Sequence, residues 1–125
     1  MRDALNTFRG REVATTGDGF LAMFDSATRA VRGAGAMVKS AHEVGLSIRV
    51  GVHTGEVELV GGDARGVAVH AAARVMSLAG ADEILVSSTT HDLIEGSGLL
   101  LEDAGTHVLK GLSGHRLLFR LSVAR

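Results

Sequence analysis

Asp63, His70 and Arg74 stand at offsets of seven and four within DARGVAVHAAAR, and Asp18 sits at the centre of TTGDGF at residues 15–20. A helix beginning near Gly66 puts His70 and Arg74 one turn apart on a single face. The Gly17-Asp18-Gly19 turn between two strand-like runs lifts Asp18 onto a hairpin tip. A carboxylate on a hairpin and an arginine on a separate helix suit phosphate-ester chemistry with a divalent metal. The carboxylate would hold the ion and the guanidinium would face phosphate oxygens. Other chemistries lack their residues. The six histidines have no zinc-ligand spacing such as a helical HExxH, and cysteine is absent. Gly33-Ala34-Gly35 lies in a helical run without the third glycine of a dinucleotide loop, and no Walker-type Gly-Lys-Ser/Thr occurs.

Each of these residues also has a plainer use. Asp18 alone could be a turn former, Asp63 after Gly61-Gly62 could end a hairpin, and His70 could pack in a core or an interface. Lys110 beside Gly111 reads most simply as a turn lysine. Arg74, on a helix otherwise built of alanine and valine, is harder to explain as part of a solvated face.

The elements that must position these residues are legible from periodicity and punctuation. With 17 glycines and no proline, turns have to be made by glycine. Arg11–Thr16 and Phe20–Phe24 read as strands around the Gly-Asp-Gly turn. Ser26 is an N-cap for a helix whose Ala27, Ala30, Val31, Ala34, Met37, Val38, Ala41 and Val44 recur at helical spacing, with Gly45 closing it. Ser47–Val52 and Glu56–Val60 read as the next strand pair, joined near His53-Thr54-Gly55. Residues 66–79 form an alanine-rich helix able to approach another backbone closely. Ile84–Ser87 is a short strand, Ser88 caps a helix through Ile94, and Leu99–Glu102 opens the last sheet segment. Val108–Leu109 and Arg116–Leu121 flank a turn running from Lys110-Gly111 to Gly114. The mixture predicts an α+β fold with helices packed on a mostly antiparallel sheet.

Composition is permissive. A chain of 125 residues, 46% hydrophobic, predicts a single domain over 1–125 with a real core. No apolar run approaches the roughly 20 residues of a membrane span, and no signal-peptide pattern opens the chain. A net charge of −1 with scattered basic residues argues against a nucleic-acid partner. The absence of cysteine suits the cytoplasm.

Five segments occur in order from about Gly10 to Phe119: TTGDGFLAMFD, IRVGVHTGEVELVGGD, GVAVHAAARVMSLAG, EILVSSTT and THVLKGL. In this order and spacing the chain resembles the catalytic domain of class III nucleotidyl cyclases, the adenylate and guanylate cyclases. The resemblance implies a ferredoxin-like cyclase-homology fold and conversion of ATP to 3′,5′-cyclic AMP and pyrophosphate. It also implies two divalent ions, Mg²⁺ or Mn²⁺, held by two aspartates, of which Asp18 matches the second. Asp63 matches the residue that reads the adenine edge, and Lys110 matches a phosphate-contacting lysine. Arg74 matches the arginine that supports the transition state, with His70 where an asparagine is expected. The family works as dimers with sites shared between chains, so a homodimer is implied.

Three departures set further expectations. The family's first metal aspartate lies on a strand well before the Gly-Asp hairpin, and here only seventeen residues precede Asp18. Asp3 lies in no strand-like context, and Met1–Phe8 looks like the tail of the first helix, so the first strand and most of the first helix are expected to be missing. Ala14 replaces an adenine-selecting lysine. His70 can donate one hydrogen bond in the amide's place but carries a proton-dependent charge. Weak or absent activity is therefore expected, the alternative being a catalytically silent module acting in dimerisation or regulation. A diguanylate-cyclase-like reading of Gly61-Gly62-Asp63 fails at Ala64-Arg65, where an acid and an aromatic are wanted. The missing strand should leave two open edges, expose Phe20, Phe24, Ile48 and Val50, and drive dimerisation or element exchange.

Overall fold

A computed structural model of the chain describes residues 2–16, 19–109 and 114–122. Its elements are α1 (Arg2–Thr7), β1 (Arg11–Thr16), β2 (Gly19–Met23), α2 (Ala27–Glu43), β3 (Val50–Val52), β4 (Glu58–Val60), β5 (Asp63–Arg65), α3 (Val67–Ser77), β6 (Ile84–Ser87), α4 (Ser88–Leu93), β7 (Leu101–Val108) and β8 (His115–Leu121). The α+β class and the largely antiparallel pairing follow the sequence expectation. Four strands form a sheet in the order β3-β6-β8-β7, with only β3 and β6 parallel, while β1-β2 and β4-β5 are separate antiparallel pairs.

Helix α2 is the longest element and obeys its sequence signals closely. The Ser26 hydroxyl accepts from the Arg29 N–H at 3.2 Å, satisfying one of the helix's free N-terminal donors. At the other end Gly45 adopts φ +80°, its N–H donates to His42 O at 3.0 Å, and Leu46 N–H donates to Ala41 O at 2.9 Å. This paired closure uses glycine because a side chain is strained in the left-handed region. Val44 is therefore the last half-helical residue and is 72% exposed, not part of the apolar face.

The buried face of α2 underlies two pieces of sheet. Val31, Ala34 and Val38 pack with Val52, Ile84, Val86 and Leu121, whereas Met37 packs with Ala4 and Leu5 of α1 against Ala22 and Phe24. Ile48 touches both clusters. Among the described residues β2 pairs only with β1, and β3 only with β6, so each keeps one edge without a strand partner. The split matches the interruption expected from the sequence. Phe24, Ile48 and Val50 are nonetheless half-buried, because α1 and α2 cover them. Phe20's side chain lies outside the described set.

Three element expectations need correction. Ser47–Val52 and Glu56–Val60 do not pair. β3 begins at Val50 and runs beside β6, while β4 turns through Gly61 (φ +58°) and Gly62 (φ +85°) onto β5, with Val60 opposite Asp63. Two consecutive positive-φ glycines make a two-residue hairpin turn whose twist suits antiparallel strands. The N-cap of α4 is Ser87, not Ser88; its hydroxyl accepts from Thr90 N–H at 3.4 Å. The last sheet segment starts at Leu101, two residues later than expected.

Candidate active site

Helix α3 carries His70 and Arg74, and its rotation about its own axis decides where they point. Val75 and Ala71 are buried, Val75 against Leu85, Leu109 and Leu118. A second line of residues, Ala68, Ala72 and Met76, rests on glycines. A methyl group at Gly51 would overlap the Met76 backbone and come within 2.8 Å of Ala72 O, and one at Gly55 would come within 2.9 Å of the Ala68 methyl. Positions 68, 72 and 76 advance about 40° per step on a helix of roughly 100° per residue. His70 and Arg74 lie far round from that line and are both exposed. The small residues of the alanine-rich run let the helix backbone sit directly on β3, turning the two polar residues outward.

Asp63 opens β5 immediately after the Gly-Gly turn and is exposed. Its Oδ1 accepts from Ala64 N–H at 2.9 Å, and its Oδ2 lies 3.8 Å from Arg65 Nε. β5 runs through Gly66 into α3, so the hairpin and the helix that bear the three residues are continuous in the chain. Among the described residues the side chains of His70 and Arg74 make no hydrogen bond or ion pair, although Arg74 O accepts from Ser77 Oγ at 2.7 Å. Arg74 also occupies the last turn of α3, where a cation is favoured by the helix dipole. A shallow groove of about 510 Å³ opens beside this area, lined by Glu56, Val57, Glu58, Arg65 and Gly66. A second, apolar groove of about 320 Å³ lies between α1, α2 and the end of β8. Neither includes Asp63, His70 or Arg74.

Asp18 and Lys110 lie outside the described residues. For a divalent metal pair the described donors do not fit. Asp3, the one aspartate before Asp18, is on helix α1 and not on a strand. Among the described residues the one grouping of three metal-capable side chains is His91, Asp92 and Glu95 at α4, where the His91 ring stacks on Phe119. Two carboxylates bridging two ions are what such catalysis requires. Asp18 alone would be a ligand for one hydrated ion.

A polar cluster where β3 and β6 end and α4 begins has no counterpart in the sequence reading, which treats His53-Thr54-Gly55 as a joining turn. His53 Nδ1 lies 2.8 Å from Ser87 Oγ, Ser87 Oγ lies 3.1 Å from Thr90 Oγ1, and Thr54 Oγ1 lies 3.0 Å from Thr90 Oγ1. Ser87 and Thr90 are buried. Burial lowers the His53 pKa below its ordinary 6.5, and the positive charge of Arg116 lowers it further. The available signal was a histidine directly after a short apolar strand, with a Ser-Ser-Thr-Thr run ending another.

Comparison with known proteins bears on the whole chain. A sequence model described as the adenylate and guanylate cyclase catalytic domain matches residues 1–122. A Rhizobium meliloti (strain 1021) protein bearing the provisional name adenylate cyclase 3 is 30% identical over 113 residues, covering 83% of this chain and 19% of its own length. The chain spans 19–34% of the length of the curated relatives it matches. Among solved structures, an adenylate/guanylate cyclase/hydrolase from Silicibacter pomeroyi superposes with a TM-score of 0.84 at 28% identity, over 98% of this chain and 78% of that one. The catalytic core of a rhodopsin-guanylyl cyclase with converted specificity, in complex with ATPαS, gives 0.85 at 23% identity, over 98% and 76%.

Proposed function

The chain belongs to the adenylate and guanylate cyclase catalytic-domain family, and we propose that it converts ATP slowly to 3′,5′-cyclic AMP and pyrophosphate as one half of a homodimer. The observation that carries this reading is the outward face of α3, where His70 and Arg74 stand exposed and, among the described residues, unpartnered on a helix seated by its alanines. Among the described residues Arg74 meets no carboxylate, so its guanidinium is available to an incoming phosphate.

In the proposed reaction the ribose 3′-oxygen bonds to the α-phosphorus and the bond from that phosphorus to the β-bridging oxygen breaks. The 3′-hydroxyl proton leaves to solvent and pyrophosphate departs. Arg74 donates to the α-phosphate oxygens as negative charge gathers there, a contribution that grows towards the transition state. His70 adds a ring N–H one helical turn away. Asp63 accepts from the 6-amino group of adenine, a position where guanine carries a carbonyl oxygen. Lys110 faces the departing phosphates. Asp18 would hold a Mg²⁺ or Mn²⁺ ion, which would supply charge neutralisation at the triphosphate. His70 and Arg74 of one chain serve nucleotide held by the other chain's hairpin, in keeping with their standing outside the two grooves described above. Turnover is slow in this reading because Ala14 offers the base no donor and Asp3, the one aspartate before position 18, lies on a helix and not on a strand.

The test is to incubate the purified chain with ATP or GTP and Mn²⁺ and to assay both cyclic nucleotides. Cyclic AMP should form well below the roughly 10 s⁻¹ of an ordinary enzyme, exceed cyclic GMP, and form about 10²–10³-fold more slowly in Arg74→Ala. No cyclic nucleotide from either substrate, or a rate indifferent to Arg74, would sink the reading.

A further inference from the structure

The first turn of α3 has an unusual need. Helices α2 and α4 begin with serine side-chain caps, whereas the N-cap of α3 is Gly66, at φ +132°, with no side-chain hydrogen bond. A helix start without a cap depends on what it rests against. Here it rests on residues 53–56: Gly55 contacts the region of the Ala68 methyl, and a methyl at Gly66 would lie 3.4 Å from Glu56 O. That loop is in turn tied down by His53 and Thr54, which reach the N-terminus of α4 through Ser87 and Thr90. The imidazole stands between the two: its Nδ1 meets Ser87 Oγ, and its Nε2 lies 3.7 Å from where a Gly55 methyl would be.

The hydroxyl arithmetic of this cluster closes. With Nδ1 as acceptor, Ser87 gives its single proton to the ring, Thr90 gives its proton to Ser87, and Thr54 gives its proton to Thr90. Ser87 Oγ also takes the Thr90 N–H of the helix cap. Each hydroxyl then donates once and no buried oxygen of the run is left without a partner. Among the described residues the one buried side-chain polar atom lacking a partner is Asp82 Oδ1, in a different cluster. Such a run is costly to break in part, because a severed member leaves a buried polar group unpaired.

We propose that His53 is a positioning residue for the cyclase reaction: keyed through Nδ1 to the cap of α4, its ring holds the 53–56 loop under the uncapped first turn of α3 and so fixes the direction in which His70 and Arg74 face the nucleotide. This rests on the functional reading above for its catalytic consequence, and on geometry alone for its structural one. The two parts can fail separately.

The experiment compares wild type with His53→Leu, which removes the acceptor, and His53→Asn, whose amide oxygen can stand near the place of Nδ1. In His53→Leu the amides of Val69, His70 and Ala71 should exchange with deuterium about tenfold faster, while those of α2 hold their protection. With ATP and Mn²⁺, kcat should fall by about tenfold or more with KM changing far less, since Arg74 is displaced from a transition-state contact. His53→Asn should restore both readouts. Thr54→Val, which cuts the run at its far end and keeps side-chain volume, serves if His53→Leu does not fold, and should loosen the same amides. Unchanged α3 exchange in a folded variant overturns the proposal, as does loss of protection spread evenly over α2 and β8, or an unchanged kcat. A wild type without cyclase turnover defeats the functional reading only, and the exchange pattern then decides the role of His53.

Discussion

At the scale of single residues, Arg74 and His53 make opposite demands on their surroundings. Arg74 needs to be charged, exposed and unpaired; it is exposed, and among the described residues its side chain has no hydrogen bond or ion pair. Replacing it by alanine should lower kcat by about 10²–10³, the usual consequence of losing one donor to transition-state charge, and should leave the thermal midpoint nearly unchanged. A matched fall in kcat and stability would assign Arg74 to the fold instead. Ala14→Lys offers the opposite case: restoring a donor near the base should raise the ATP-to-GTP rate ratio, read by assaying both products. His53 needs to be neutral. Its folded pKa is lowered, chiefly by burial and then by Arg116, so below its ordinary 6.5 the unfolded chain binds the proton more readily. Stability tied to His53 is therefore fully present above about pH 6.5 and declines as pH falls towards the folded value. Urea midpoints between pH 7.5 and 5.5 should fall in wild type and fall less in His53→Asn. Glu83 titrates in a separate window, because its pKa is lowered from 4.5, chiefly by the Gly80 N–H and also by Arg120, against the opposing effect of burial. Its contribution is present above about pH 4.5 and is lost at more acid pH, so the two effects can be resolved in one titration.

At the scale of elements, the seat of α3 on β3 matters most. Gly51 is where the helix and strand backbones come closest, and a side chain there meets main-chain atoms that cannot swing aside. Gly51→Ala should destabilise the chain by about 1–3 kcal/mol, the usual range for overpacking, and should displace α3 enough to impair catalysis beyond the stability loss. Denaturant midpoints and kcat measured on the same preparation test this. Gly61→Ala carries backbone strain at φ +58° but meets no atom within 4 Å, so its cost should be confined to the β4-β5 hairpin. A larger global loss from Gly61→Ala than from Gly51→Ala would reverse the order argued here.

For the whole molecule, the question is how two sheet pieces on one helix behave in solution. β2 and β3 each present an edge without a strand partner among the described residues, and α2 lies beneath both. Open edges promote pairing with other chains. Association at micromolar concentration is the expected outcome in sedimentation velocity; a stable monomer would mean that coverage by α1 and α2 suffices. The proposed catalytic dimer makes a second demand, that His70 and Arg74 meet the other chain's hairpin. Mixing an Arg74→Ala chain with an Asp18→Ala chain should restore part of the activity that each lacks alone, because one of the two composite sites then regains both residues. No complementation would argue against shared sites.

The local elements were legible in the sequence because their signals are local. Ser26 and Gly45 bound α2, the alanine-rich run at residues 66–79 marks α3, and the order of motifs identifies the family. Asp63, His70 and Arg74 were singled out by spacing, and the structure holds them exposed on one continuous hairpin and helix. What the sequence did not reveal depends on partners distant in the chain. The run at residues 47–60 reads as a hairpin, yet β3 pairs with β6 more than thirty residues later, because the Gly61-Gly62 turn engages β4 and the alanines of α3 take up Gly51 and Gly55. The use of His53 was equally hidden. A histidine in a glycine-flanked loop acquires a role only when tertiary packing carries Ser87, thirty-four residues away, to within a hydrogen bond of its ring. Capping, periodicity and turn chemistry act within a few residues and can be read from the chain. Strand partnership, helix rotation and buried hydrogen-bond runs are decided by which surfaces exclude water together, and only the folded structure brings those surfaces into contact.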